Sequence, residues 1–124
     1  MKPTILIADD DKFIVQFLQD NLEKHDFRII YAHDGYSTIS TMSSEKPDLV
    51  ILDINMPQMN GLEILASIKE NPATCNVPVI MITAEEDSEI FEKAVERKAD
   101  AYIVKPFKMD HLLDRIHHIL GNSD

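Results

Sequence analysis

The sequence is poor in residues on which several classes of protein depend. It has a single cysteine, Cys75, which excludes an internal disulfide framework and favours a reducing compartment. Only three glycines are present, and nothing resembles a glycine-rich loop that cradles nucleotide phosphates. No apolar run reaches the length needed to cross a bilayer. These absences predict a cytoplasmic protein with no membrane-spanning segment.

Positive charge is also scarce. The chain has 12 lysine and arginine residues against 22 aspartate and glutamate residues, which gives a formal net charge of −10. A surface that binds nucleic acid needs clustered Lys and Arg to displace counterions, so we expect no direct contact with DNA or RNA. With 44% hydrophobic and 27% charged residues, the composition is that of a soluble globular protein. The length fits one domain over residues 1–124.

Short apolar runs recur at regular intervals along the chain. They are Ile5–Ala8, Arg28–Ala32, Leu49–Leu52, Val79–Ile82 and Ala101–Val104. Most are almost continuously apolar, as strands covered on both faces should be. The segments between them have helical periodicity. Alternation of strands and helices predicts an α/β fold with a five-stranded parallel sheet, right-handed crossovers and helices on both faces.

The helical segments differ in how clearly their apolar residues define one face. The second, from about Tyr36 to Ser44, is rich in Ser and Thr and has the weakest pattern. The other four segments have apolar residues at helical spacing. These residues are Ile14, Phe17, Leu18 and Leu22 in the first segment, Leu62, Leu65 and Ile68 in the third, Ile90, Ala94 and Val95 in the fourth, and Leu112, Leu113, Ile116, Ile119 and Leu120 in the fifth.

Polar side chains gather where the predicted strands end. In open parallel sheets, ligands bind beyond the carboxyl ends of the strands. The residues found there are Asp9, Asp10 and Asp11 after the first run, Asp53 after the third, Thr83 after the fourth and Lys105 after the fifth. Carboxylates, a hydroxyl and an ammonium group are thus predicted to meet at one edge of the sheet. This convergence is the strongest indication of function in the sequence.

The residue types in this cluster suit phosphoryl transfer. Neighbouring carboxylates repel one another, and a hard divalent cation such as Mg²⁺ relieves that repulsion. An aspartate can attack phosphorus and form an aspartyl-phosphate. A metal, the ammonium group of Lys105 and the hydroxyl of Thr83 could then hold the phosphoryl oxygens. Taken alone, Asp9, Asp10 and Asp11 could equally cap the first helix.

Over essentially its whole length the chain resembles a response-regulator receiver domain of two-component signalling, particularly the single-domain chemotaxis type. The matching segments are Ile5–Asp11, Asp53–Pro57 with Gly61, Thr83–Ala84 and Lys105–Phe107. The resemblance implies a flavodoxin-like (βα)₅ fold with strand order 2-1-3-4-5. It also implies a phosphorylation-activated switch that is not a turnover enzyme, although it catalyses its own phosphorylation and dephosphorylation.

The resemblance assigns roles at the site residue by residue. Asp53 would accept the phosphoryl group from a phosphohistidine donor, and Thr83 and Lys105 would contact that group. The implied ligands of Mg²⁺, with Mn²⁺ as an expected substitute, are Asp9, Asp10, Asp53 and the backbone carbonyl of Asn55. The Lys105–Pro106 peptide bond is expected to be cis.

Further implied roles concern the switch and its lifetime. Thr83 would move toward the phosphoryl group and Tyr102 would rotate inward, changing the surface formed by helix four, strand five and helix five. Asn55 and Glu85 occupy positions that modulate loss of the phosphoryl group, and they match the pair in the chemotaxis regulator. We hypothesise a short-lived phosphorylated state. One departure from the family pattern is Lys98, which stands near a turn where glycine is common and a left-handed residue is expected.

The implied partners are a sensor histidine kinase or a histidine phosphotransfer domain, and a downstream effector protein or fused output domain. Helix one lies beside the acidic cluster, where the phosphodonor docks in this family. Phe13, Ile14 and Phe17 are therefore candidate docking residues, although most such apolar stripes belong to the core.

Two alternatives come from other functional classes. The first is a receiver fold that serves only as a docking module and is never phosphorylated. The second is an aspartate-nucleophile phosphatase of the haloacid dehalogenase type, which needs a second carboxylate two residues after the nucleophile. Here Asn55 takes that position, and the chain is too short for a substrate cap. A flavin site is disfavoured because the acids after the first run would repel phosphate.

Overall fold

The computed structural model describes residues 2–56, 59–84 and 88–121, which alternate between strands and helices. The strands are β1 (Thr4–Ala8), β2 (Arg28–Ala32), β3 (Leu49–Asp53), β4 (Val79–Thr83) and β5 (Ala101–Val104). The helices are α1 (Lys12–Glu23), α2 (Gly35–Glu45), α3 (Gly61–Glu70), α4 (Ser88–Glu96) and α5 (Met109–Leu120). The predicted α/β alternation is confirmed.

The strands form one parallel sheet in the order β2-β1-β3-β4-β5. In the register, Ala8 of β1 lies beside Ala32 of β2 and Leu52 of β3, so the carboxyl ends of these strands are level. Every residue of β1, β3 and β4 is buried, which explains their continuous apolar character. The flavodoxin-like order 2-1-3-4-5 is therefore confirmed, and it places the ends of β1 and β3 side by side at the centre of the sheet.

Successive residues of each central strand contribute to opposite cores. On one face Leu6 and Ala8 pack against side chains of α2, α3 and α4, among them Met42 and Leu65. On the other face Ile5 and Ile7 pack against side chains of α1 and α5, which include Leu18. The two-residue period of a strand produces this division, because successive side chains point to opposite faces. The sheet is thus fixed from both sides, and so are the positions of its carboxyl ends.

The predicted inner face of α1 was wrong at one residue. Val15, Leu18 and Leu22 are buried, whereas Phe17 is 49% exposed. Val15 and Leu22 are seven residues apart and lie on the same side of the helix, and Phe17 is turned away from both by roughly 140° to 160°. Spacing alone did not separate these two sides because both carry large apolar residues.

Helix α4 is held against the domain by little apolar surface. Ala94 is its one buried residue, and Val95, which marked this helix in the sequence together with Ile90 and Ala94, is 56% exposed. The turn after α4 contains Lys98 in the left-handed region at φ 68°, as the sequence led us to expect. Across the part of the chain that the structure describes, no helix combines the length and the apolarity that a membrane span requires.

Candidate functional site

The aspartates that follow β1 have two different roles. Asp9 is buried, its backbone N–H donates to the carbonyl of Ala32 at 3.1 Å, and its Oδ1 accepts from the N–H of Asp11 at 2.9 Å. The side chain of Asp11 turns the other way and caps α1, accepting from the N–H groups of Phe13 and Ile14. The capping interpretation thus holds for Asp11, while Asp9 faces the edge of the sheet beside β3.

Asp53 is the last residue of β3 and is 6% exposed. Its Oδ1 accepts a hydrogen bond from the backbone N–H of Asn55 at 3.2 Å. The next residue, Ile54, donates its N–H to the carbonyl of Ile82 at 3.1 Å, so pairing with β4 continues past the strand end. These bonds hold the carboxylate on the continuation of a central strand rather than on a free loop.

Lys105 follows β5 and brings the positive charge. Its Nζ lies 3.5 Å from Oδ2 of Asp9 and 3.8 Å from Oδ2 of Asp53. Its backbone N–H donates to the carbonyl of Thr83 at 2.7 Å, and the peptide bond that it forms with Pro106 is cis. One ammonium group is therefore shared between two carboxylates that come from different strands.

The electrostatics of this cluster are unfavourable without a further cation. Carboxylate oxygens of Asp9, Asp10 and Asp53 all lie within 4.8 Å of one another. Burial and, after it, the charge of Asp9 together raise the pKa of Asp53 to about 7, against the opposing effects of Lys105 and the N–H of Asn55. A proton or a metal ion is needed to balance three acids against one ammonium group.

The donor set fits a hard divalent cation. All three groups offer carboxylate oxygens, which Mg²⁺ prefers, and no cysteine or histidine belongs to this group of ligands among the described residues. Asp10 is exposed while Asp9 and Asp53 are buried, so the cluster opens to solvent on one side. A cation held there would be accessible to water from that side.

The raised pKa of Asp53 predicts a dependence of stability on pH in metal-free protein. Between about pH 4 and pH 7 the folded chain keeps a proton on Asp53 that the unfolded chain has lost, so the free energy of unfolding falls as pH rises through this window. Asp53→Asn should remove this decline and be more stable at pH 8 by about 2 to 4 kcal/mol. Urea unfolding in EDTA at several pH values measures both effects.

Asp11→Asn is the matched control for this experiment, because it removes one charge from the same acidic run and leaves a side chain that can still cap α1. It should keep the wild-type decline with pH. A decline of the same size in Asp53→Asn would show that Asp53 is not its source.

The structure brings most of the predicted site residues together. Asp9, Asp10, Asp53 and Lys105 form one cluster, and the fully buried Thr83 ends β4, the strand beside β3. Asn55 is exposed next to Asp53. Pro57 and Glu85 lie outside the described residues.

The remaining predicted residues are not members of this cluster. Tyr102 is partly buried on β5, and its ring meets that of Phe91 on α4 edge to face at 5.2 Å. On α1, Phe13 is 87% exposed, Phe17 is exposed and Ile14 is partly buried. The surface suggested for donor docking is therefore accessible to solvent at Phe13 and Phe17.

One neighbour of the site was missed. His33, treated with the other histidines as structural or solvated, places Nδ1 3.2 Å from the carbonyl oxygen of Asp9, and its ring lies 5.1 Å from that of Tyr31. The strand order could have predicted this contact, because β2 lies directly beside β1 and His33 follows β2. The sequence position alone, far from Asp9, did not suggest the contact.

Comparison with known protein families gives a match over most of the chain. Residues 5–117 match the family described as "Response regulator receiver domain". The matched segment contains the five strands, apart from Thr4 at the beginning of β1, and all of the acidic cluster described above.

Individual relatives agree with this match. The chain is 34% identical over its whole length to the alkaline phosphatase synthesis transcriptional regulatory protein PhoP of Bacillus subtilis, and it spans 51% of that protein. It is 37% identical over 98% of its length to histidine kinase P4 of Formosa agariphila, of which it spans 9%. The chain thus covers about half, or far less, of these relatives.

A solved structure is similar to this chain over nearly the full length of both. The chemotaxis protein CheY4 of Vibrio cholerae superimposes with a TM-score of 0.90 at 25% identity, and the alignment covers 96% of this chain and 99% of that one. The similarity therefore extends over the whole fold and is not confined to the acidic edge.

Proposed function

Because the chain belongs to the response regulator receiver domain family, we propose that it is a phosphorylation-activated switch in which Asp53 accepts a phosphoryl group. The observation that carries the proposal is the arrangement of charge around Asp53. Its buried carboxylate lies beside those of Asp9 and Asp10 and 3.8 Å from the ammonium group of Lys105. A nucleophile, a cation site and a fixed positive charge are all within reach of one phosphoryl group.

The transfer forms one bond and breaks one bond. An oxygen of the Asp53 carboxylate attacks phosphorus, the phosphorus–nitrogen bond of a phosphohistidine donor breaks, and the histidine of the donor leaves. Asp9, Asp10, Asp53 and the backbone carbonyl of Asn55 would hold Mg²⁺. The ion supplies positive charge that stabilises the phosphoryl oxygens and favours the ionised form of Asp53.

Lys105 and Thr83 complete the proposed contacts to the phosphoryl group. The carbonyl of Thr83 accepts the N–H of Lys105 at 2.7 Å, so the backbones at the ends of β4 and β5 are joined directly behind the site. After transfer, the ammonium group of Lys105 neutralises a phosphoryl oxygen instead of the Asp53 carboxylate, and the hydroxyl of Thr83 donates to another.

Thr83 and Tyr102 would couple phosphorylation of Asp53 to a change at the surface of the domain. A shift of Thr83 toward the phosphoryl group opens space behind it, and Tyr102 turns inward to fill that space. The edge-to-face contact between Tyr102 and Phe91 links this rotation to α4. Since α4 buries only Ala94, a small change in contacts can alter its position at low cost. The surface formed by α4, β5 and α5 is then the one a downstream effector or output domain reads.

The donor would be a sensor histidine kinase or a histidine phosphotransfer domain. The exposed rings of Phe13 and Phe17, on the helix that follows Asp9 and Asp10, support α1 as the docking element. A donor seated there would bring its phosphohistidine toward the open side of the acidic cluster. In this role the chain is phosphorylated and dephosphorylated once in each signalling cycle and does not turn over an external metabolite.

The proposal is tested by phosphorylation with acetyl phosphate, followed by intact-protein mass. We expect the wild-type chain to gain one phosphoryl group in the presence of Mg²⁺ and none in EDTA. Mn²⁺ should restore the gain, because it is also a hard cation that accepts carboxylate ligands. No gain in a sample that binds Mg²⁺ would contradict the proposal and favour the docking module. Catalytic release of phosphate from added phosphate esters would instead favour the phosphatase.

A further inference from the structure

The carbonyl oxygen of Asp9 lies where the ladder between β1 and β2 stops. The N–H of Asp9 donates to the carbonyl of Ala32 at 3.1 Å, so the two chains remain paired one residue beyond Ala8. If the parallel ladder continued, the carbonyl of Asp9 would accept the N–H of Asp34. That N–H instead lies 3.4 Å from Oγ of Ser37, because Asp34 already caps α2. The carbonyl of Asp9 therefore has to find its donor outside the ladder.

His33, which directly follows β2, provides this donor from its side chain. Its Nδ1 lies 3.2 Å from the carbonyl oxygen of Asp9, and the residue is partly buried. Since a carbonyl oxygen can only accept, Nδ1 must carry the proton of this hydrogen bond. The ring of Tyr31 lies 5.1 Å from the imidazole and is tilted by 47° to it. This contact limits the rotation of the imidazole, so its Nδ1 stays directed at Asp9.

The carbonyl that His33 holds belongs to the peptide between Asp9 and Asp10. These residues contribute two of the three clustered carboxylates that could bind a cation. If this peptide turned about its neighbouring bonds, both side chains would leave the backbone in new directions. The Asp9 carboxylate would then lose its alignment with the N–H of Asp11 at 2.9 Å and with Nζ of Lys105 at 3.5 Å. The position of one peptide plane thus affects both carboxylates.

We propose that His33 is a positioning residue for the cation site, in which its Nδ1–H fixes the peptide between Asp9 and Asp10 and keeps both carboxylates within reach of one metal ion. This role rests on the proposed function, because that function assigns the two carboxylates to Mg²⁺. His33 is not itself a ligand, since its Nδ1 faces a carbonyl group. Groups that orient metal ligands typically change metal affinity by about ten- to a hundredfold when they are replaced.

Mg²⁺ binding in the absence of any phosphodonor tests this role. The variants His33→Leu and His33→Asn have side chains of nearly the same shape, but only asparagine has an N–H. Its amide nitrogen is bonded to Cγ, as Nδ1 of histidine is. We expect the Kd for Mg²⁺ to rise about tenfold in His33→Leu and to stay within about threefold of wild type in His33→Asn. Backbone amide shifts, followed by NMR as Mg²⁺ is added, measure each Kd.

His25→Leu is the matched control for His33→Leu. His25 is exposed and precedes β2, so it lies at the opposite end of this strand from His33. Its replacement should leave the Kd within about twofold of wild type. An unchanged Kd in His33→Leu, or equal losses in His33→Leu and His33→Asn, would overturn the proposal. Tighter binding in His33→Leu would also overturn it, because His33 would then act on the site through its charge.

The tautomer of His33 gives a second measurement that needs no variant. The wild-type protein is placed in EDTA at alkaline pH, where the imidazole is neutral. Nitrogen chemical shifts of the ring then report which nitrogen carries the proton. We expect the proton on Nδ1, because the carbonyl of Asp9 selects this tautomer. A proton on Nε2 would leave Nδ1 without a donor for that carbonyl and would overturn the proposal, whether or not His33→Leu folds.

Intact-protein mass after treatment with acetyl phosphate separates this role from the proposed function. If Mg²⁺ binding follows the expected pattern but the wild-type chain gains no phosphoryl group, the proposed function fails and the role of His33 stands. If the chain is phosphorylated while His33→Leu binds Mg²⁺ as tightly as wild type, the role of His33 fails alone. A wild-type chain that binds no Mg²⁺ would contradict both.

Discussion

Replacing Asp53 with asparagine is expected to abolish phosphorylation by acetyl phosphate. Asparagine keeps the size of the side chain and an oxygen that can accept the N–H of Asn55, yet its amide is not a nucleophile toward phosphorus. The initial rate should fall at least about a hundredfold, because the carboxylate that attacks phosphorus in the proposed function is that of Asp53. Intact-protein mass at successive times, with Mg²⁺ present, measures the rate.

The control is again Asp11→Asn. Asp11 belongs to the same acidic run but caps α1 and is not one of the three clustered carboxylates, so its variant should be phosphorylated at close to the wild-type rate. If Asp53→Asn gains a phosphoryl group as fast as wild type, the acceptor is another residue. Peptide mapping of the phosphorylated protein would then identify that residue.

Gly61→Ala is expected to destabilise the protein by about 3 kcal/mol. A Cβ added at Gly61 would lie 2.5 Å from the carbonyl oxygen of Asp53 and 2.5 Å from Cα of Ile54. Both are backbone atoms of a buried strand end, so they cannot turn aside as a flexible side chain could. The N–H of Gly61 also donates to the carbonyl of Ile54 at 2.7 Å, and this bond would have to lengthen. The midpoint of urea unfolding measures the loss.

Gly121→Ala serves as the comparison for Gly61→Ala. Gly121 ends α5 at φ 74°, where a side chain is strained by the backbone conformation but meets no atom within 4 Å. Its loss should be about 1 kcal/mol. An equally small loss in Gly61→Ala would show that α3 can move away from β3 easily. In the expected case, the part of Gly61→Ala that remains folded should also be phosphorylated more slowly, because the displaced backbone carries Asp53.

The arrangement of elements could be predicted from local sequence because each signal is local. Buried parallel strands must be apolar throughout, and this requirement produced five separated runs, of which those of β1, β3 and β4 are fully buried. Because parallel strands have their carboxyl ends at the same edge of the sheet, the polar residues that follow the runs were predicted to lie together at that edge. Strand order had no such local signal. It came from the resemblance to a family, and the register then explained why Asp9 and Asp53 meet.

Residue faces were predicted less well where two sides of a helix are both apolar. In α1 the spacing grouped Phe17 with Leu18 and Leu22, although Val15 lies on their buried face, and in α4 the exposed Val95 was grouped with the buried Ala94. In both helices the outward residues are large and apolar, so a periodic pattern has two solutions. Only packing against the sheet selects between them, because it depends on which side of the helix the sheet lies.

The sequence by itself determined the fold class, the identity of the charged residues and the edge of the sheet where they gather. Tertiary structure alone decided the interactions that depend on distance: the sharing of Lys105 between Asp9 and Asp53, the elevated pKa of Asp53 and the contact of His33 with Asp9. It also showed why Gly61 must lack a side chain. The physical reason is that electrostatic and steric energies change over a few ångströms between groups brought together from different strands, whereas periodicity reports only on neighbours along one element.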